Sequence, residues 1–155
     1  PKYRSVYVNQ AKQFCEGEDV MFSQDVRDWV LETYYQKPAE GYVQEKLTRW
    51  QEYIDDGTAD PSVLDYVLGE AKTVAENANL NWSEGKAMSM RQKAKKMVPH
   101  YIEHELRKKE RYGRSWKKST MVHAIGKLRG LATEYHLKFD EERAQMVISA
   151  CRGEE

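Results

Sequence analysis

The chain has 155 residues with 25 Lys+Arg and 25 Asp+Glu, so its formal charge is zero; 40% of its residues are hydrophobic and 32% charged. A chain of this length buries about 70% of its unfolded surface, enough for a core without metal or disulfide. Its mean hydropathy of −0.86 and its lack of an apolar run exclude a membrane helix; four Trp, ten Tyr and three Phe exclude a disordered tail, and nine Gly with four Pro exclude collagen, linker arrays and a many-turned β-sandwich.

Pro1-Lys2-Tyr3-Arg4 carries no apolar segment, so no secretory signal is expected, and Pro1 reads as the residue left after loss of an initiator Met. A bare N-terminal proline can act as a base, but no pocket for it is visible in the sequence. Residues 2–15 suit two forms: Tyr3, Val6 and Val8 as a short strand, or Val6, Gln10 and Phe14 on one helix face. Glu16-Gly17-Glu18-Asp19 reads as a turn. Ser23 is a candidate cap, and Val26, Trp29, Val30 and Tyr34 predict a helix over 24–36, ended by Lys37-Pro38. A second helix follows to about residue 55, with Leu47, Trp50, Tyr53 and Ile54 on one face, and Asp55-Asp56-Gly57 stops it.

Asp60-Pro61 opens a third helix, the aspartate as cap and the proline at the first helical position, with a wide apolar stripe from Val63 to Ala75. Residues 77–82 form a polar break. Ser83-Glu84 opens a long fourth segment over 84–112, with Met90, Ala94, Met97 and Tyr101 inward and a kink or break expected at Pro99. Gly113 ends it. A fifth helix is expected from Trp116 to about Leu137, and a sixth after Asp140, with Ala144, Met146, Val147 and Ala150 apolar. The fold expected is all-α, about six helices in a compact or two-lobed bundle. Helices 24–36 and 39–55, taken as an antiparallel pair, give a helix-turn-helix-like N-terminal part. Cys15 and Cys151 are expected to be reduced, one end-to-end disulfide being the alternative.

The zero net charge hides an asymmetry. Residues 1–82 carry 8 basic and 15 acidic side chains, residues 83–155 carry 17 and 10, and residues 86–129 carry 14 against Glu103, Glu105 and Glu110. The domains expected are an acidic helical lobe over 1–82 for protein interaction and a basic lobe over 83–155 for nucleic acid, or one continuous domain. On a helical wheel Lys93, Lys96, His100, His104, Arg107 and Arg111 form one ridge, about 110° from the apolar stripe. Lys108, Lys109, Arg114, Trp116, Lys117 and Lys118 extend it into the following loop, and Tyr112 adds a second aromatic. Arginine forks onto phosphate while an aromatic stacks on an exposed base, and the ridge has no Asn or Gln to read base edges. Gly126 and Gly130 sit four apart on the fifth helix with Lys127 and Arg129 beside them, either a small-residue face or a helix break.

Sharper chemistry is set aside. His100-Tyr101-Ile102-Glu103-His104 matches the five-residue H-x-x-E-H pattern, but it sits among cations without a clear third ligand. Asp55, Asp56 and Asp60 lack metal-loop spacing, and no P-loop, nucleophile elbow or Ser-His-Asp order is present. No metal, cofactor or catalytic residue is expected. The sequence reads as an intracellular nucleic-acid-binding accessory protein in replication, transcription or repair, in a phage or mobile-element setting. It would bind DNA or RNA through Lys93, Lys96, His100, His104, Arg107, Lys108, Arg111, Arg114, Trp116, Lys117, Lys118, Lys127 and Arg129. A protein partner is expected at the acidic lobe, through exposed members of the Tyr34, Tyr35, Tyr42 and Trp50 set; a homodimer stays open, and no membrane contact is expected. The alternative is a protein–protein adaptor or inhibitor that binds no nucleic acid.

Overall fold

Four helices begin at side chains that take an orphan amide. Ser23 Oγ accepts from the Val26 amide at 3.3 Å, Asp60 Oδ1 from Ser62 at 2.9 Å, Ser83 Oγ from Lys86 at 3.1 Å and Asp140 Oδ1 from Arg143 at 3.0 Å. The computed structural model describes residues 2–18 and 22–153. Its helices are α1 (Lys2–Gly17), α2 (Gln24–Leu31), α3 (Lys37–Asp55), α4 (Pro61–Asn77), α5 (Glu84–Tyr112), α6 (Lys118–Glu134) and α7 (Glu141–Ser149). Among the described residues the fold is all-α, with no β-strand, and no helix is long and apolar enough to cross a membrane. Pro1, Asp19 of the expected turn and the two final glutamates lie outside the described residues.

Three helices end in the same way. Gly57, Asn79 and His136 take positive φ angles of 70°, 57° and 54°. At each, the next amide reaches back five residues: Thr58 to the Tyr53 carbonyl, Leu80 to Ala75 and Leu137 to Ala132, all at 2.8 Å. This hydrogen bond and the one before it satisfy the last carbonyls and turn the chain away from the axis. His136 ends α6 at Glu134, earlier than the Leu137 expected from periodicity.

The segment expected to break at Lys37-Pro38 does not break. A π-helical turn, Glu32–Gln36, joins α2 to α3, with Leu31, Glu32 and Lys37 all in right-handed helical geometry. The Lys37 amide donates to the Glu32 carbonyl, five residues back. Widening the helix just before a proline relieves the clash between its ring and the preceding turn. Residues 24–55 are therefore one helical run, which removes the turn on which the helix-turn-helix-like reading depends. α5 is likewise unbroken at Pro99, which lies on its exposed side.

The chain divides into two compact units, Pro1–Trp50 with Asp65–Ala87 and Gln51–Leu64 with Met88–Glu155, so that α3, α4 and α5 each contribute to both. In the first unit α1 packs on α2 and on the π turn, and the Tyr7 and Tyr35 rings meet at 6.3 Å. That packing resolves the helix-or-strand ambiguity of residues 2–15. The Tyr35 hydroxyl donates to the Asn77 carbonyl at 3.1 Å, Gln36 Nε2 to Ala78 at 3.2 Å, and the Tyr42 hydroxyl to Glu70 at 2.9 Å.

The second unit has a core of Val98, Ile102 and Leu106 from α5, Met121, Ile125, Leu128 and Ala132 from α6, and Ala144, Val147 and Ile148 from α7. Along α5 the buried positions recur every three or four residues from Ala87 and Met90 to Leu106, the stripe of a helix with one face in the core. One more step along that stripe falls on Lys109, only 6% exposed. Its ammonium bonds Glu105 at 2.7 Å and stands 6.0 Å from the centre of the Trp116 ring, which offsets the loss of water. Residues 51–64, although acidic, group with the basic helices. By unit the charges are 9 basic against 12 acidic and 16 against 13.

Candidate functional site

The expected ridge on α5 is met by the chain's own acids. The turn over residues 55–60 lies along it. Asp55 binds Lys93, which holds its carboxyl below the usual carboxylate range. The Gly57 backbone sits so close to His100 that an added β-carbon would stand 2.9 Å from His100 Cβ. The Tyr101 hydroxyl donates to Asp60 at 3.3 Å, and burial together with that carboxylate pushes its pKa up. Farther along, Arg107 bonds Glu103 at 2.6 Å, and Lys108 lies 3.8 Å from Glu105. Lys96, His100 and His104 stay exposed, and Lys96 has no carboxylate partner among the described residues.

α5 and α6 meet at a corner, and there the cations stay free. α5 ends at Tyr112, a single 3₁₀ turn covers Gly113–Ser115, and α6 begins at Lys118. Gly113 is buried because the turn is tight: an added β-carbon would stand 2.2 Å from Met121 Cε. Arg111, Arg114, Lys117 and Lys118 therefore occupy one short stretch, all exposed. The C-terminal tail adds a fifth cation. The Arg152 amide donates to the Arg114 carbonyl at 2.8 Å, and Gly153 forms an isolated parallel bridge with Lys117. Only glycine permits that bridge, since a β-carbon at residue 153 would lie 2.7 Å from the Trp116 carbonyl oxygen. Among the described residues none of these five cations pairs with a carboxylate. Two exposed aromatics stand among them, Tyr112 at 63% and Trp116 at 36%. α6 has Lys117 at its N-cap, no side-chain cap and no acid in its first turn, so its free amides and positive dipole end add to the corner's field.

Comparison with known proteins returns no matching family model, no matching curated protein and no matching solved structure. The chemistry of the corner is therefore read from its own side chains.

Arg129 and Lys127, expected beside Gly126 and Gly130 on the fifth helix, differ from each other. Arg129 forks onto Glu141, Nε to Oε1 at 2.6 Å and Nη2 to Oε2 at 2.8 Å, and lies 5.7 Å from the Phe139 ring. Lys127 is exposed and without a carboxylate partner among the described residues. α6 runs unbroken through Gly126 and Gly130, and an added β-carbon at either would meet nothing within 4 Å. Glu103, the acid of the H-x-x-E-H pattern, accepts from Arg143 and Arg107, each at 2.6 Å. Among the described residues no three His, Cys, Asp or Glu side chains are grouped to hold a metal ion.

Arg152 was not among the expected residues, and Lys109, expected as an exposed cation of the basic loop, is buried against Trp116. Arg152 lies far along the chain from the corner and joins it only through backbone hydrogen bonds. Lys109 carried a usable signal, because it falls in register with the apolar stripe. In the first unit Tyr35 and Tyr42 are half-buried and give their hydroxyls to partners within the chain, and Tyr34 is exposed. Its neighbours are Phe14 and Trp29, also exposed, and the Trp29 and Tyr34 rings meet edge to face at 5.9 Å. These three border an apolar groove floored by Cys15 and Val30.

Proposed function

We propose that the protein is a small nucleic-acid-binding accessory factor that holds phosphate backbone through the α5–α6 corner. The observation that carries this reading is the grouping of Arg111, Arg114, Lys117, Lys118 and Arg152 without carboxylate partners among the described residues, while Lys93, Arg107, Lys108 and Arg129 are paired. Like charges held together repel, and a polyanion offsets that repulsion. Lys96 and Lys127 are also exposed and without a carboxylate partner among the described residues. The set has no exposed Asn or Gln at its centre, so contact with phosphate dominates and sequence preference is weak. Replication, transcription and repair all use proteins of this kind, and the acidic first unit would then face a protein partner.

The test is equilibrium binding of labelled single-stranded and duplex polynucleotide at about 50 mM salt, where such electrostatics are strong. The triple variant Arg111→Glu, Arg114→Glu, Lys117→Glu should abolish binding. Arg107→Gln, which removes a cation already paired, should change affinity less than twofold. Wild-type protein that binds no polynucleotide overturns the reading. One observation favours a second reading, a protein adaptor: the exposed Phe14, Trp29 and Tyr34 around the groove of the first unit suit a partner's apolar side chains.

A further inference from the structure

Resting on that reading, we infer that the corner takes a single strand in preference to a duplex, with unpaired bases stacked on Tyr112 and Trp116. Cations alone do not discriminate, because both forms present phosphate. The aromatics do. In a duplex the bases are stacked on one another and their faces are closed to a side chain, whereas in a single strand each base has a free π-face. Tyr112 and Trp116 are four residues apart on the chain, with Arg114 between them and Arg111 and Lys117 on either side. Alternation of cation and ring matches a strand that alternates phosphate and base.

Trp116 is placed before any ligand arrives. The buried Lys109 ammonium, held by Glu105, stands over the Trp116 ring, and the Gly153 bridge clamps the backbone beside it. Tyr112 projects at the last position of α5. A ring already held in position loses little freedom on stacking, so more of the contact energy appears as affinity.

The test compares labelled oligo(dT) and oligo(rU) of about 15 nucleotides with a blunt duplex of the same length, at the same salt, for wild type, Tyr112→Ala, Trp116→Ala and Trp116→Phe. Tighter binding of either single strand than of the duplex supports the inference. So does a loss of about tenfold on single strand, and little on duplex, in each alanine variant, with Trp116→Phe retaining most of the affinity. Tyr112→Ala keeps the test decisive if Trp116→Ala unfolds, because Tyr112 is mostly exposed. Duplex binding as tight as single-strand binding, or alanine variants that bind single strand like wild type, overturns this inference and leaves the phosphate-binding reading standing. Failure to bind any of the three polymers overturns both.

Discussion

His136 is a β-carbon-bearing residue in a conformation that glycine adopts freely, and Asn79 is a milder case of the same kind. His136→Gly is expected to raise stability by about 1 kcal/mol, seen as a higher urea midpoint with an unchanged slope. The opposite outcome is expected at Gly113. Its added methyl would press on the terminal methyl of Met121, whose side chain is fully buried and must repack. Gly113→Ala should cost about 1–3 kcal/mol in the same measurement, the usual range for overpacking. Lys109 shows how immediate neighbours mislead. Between Lys108 and Glu110 it reads as solvated charge, although its register with the α5 stripe marks it for burial; its place over Trp116 comes only from the fold.

At the scale of elements, α6 contains two interior glycines that carry no packing role. Gly126→Ala and Gly130→Ala should each stabilise the protein by about 0.5–1 kcal/mol, since the helix gains propensity and the new methyl meets nothing. Thermal or urea unfolding of the two single variants checks this. Helix starts were legible because Ser23, Asp60, Ser83 and Asp140 act on amides two or three residues away. The joint at residues 32–38 was not. A proline is a local veto on ordinary helix, but a π turn is a local answer to it, and no residue type announces that answer. α1 was ambiguous for a related reason: Val6 and Val8 favour strand, and its contacts with α2 and the π turn decide for helix.

For the whole molecule, the decisive electrostatics come from residues distant in sequence. Arg143 binds Glu103 and Glu110, and those hydrogen bonds hold both carboxyls below the usual glutamate range. In the unfolded chain the two acids regain their ordinary proton affinity. The unfolded state therefore binds more protons as pH falls through that range, and the native advantage, complete above it, is lost through the lowered values. The urea midpoint should drop between about pH 5 and pH 3, and Arg143→Leu should flatten that dependence. Binding to polynucleotide should weaken steeply with salt. A plot of log affinity against log salt should lose slope in Arg114→Gln and Arg152→Gln, by roughly 0.7–0.9 for each phosphate contact removed.

Helical class, four of the helix starts and the concentration of basic residues after residue 83 were determined by the sequence alone, because each depends on residue type and on spacing within a few positions. Arg107 and Lys108 are met along α5 itself, by Glu103 and Glu105 one turn away. The rest was decided by the tertiary structure: Asp55 reaches Lys93, Glu141 reaches Arg129 and Glu103 reaches Arg143 only once the helices pack, and the tail brings Arg152 to Arg114 only through a backbone hydrogen bond between distant segments. Charge is a property of composition, but the field at a surface depends on where opposite charges are folded.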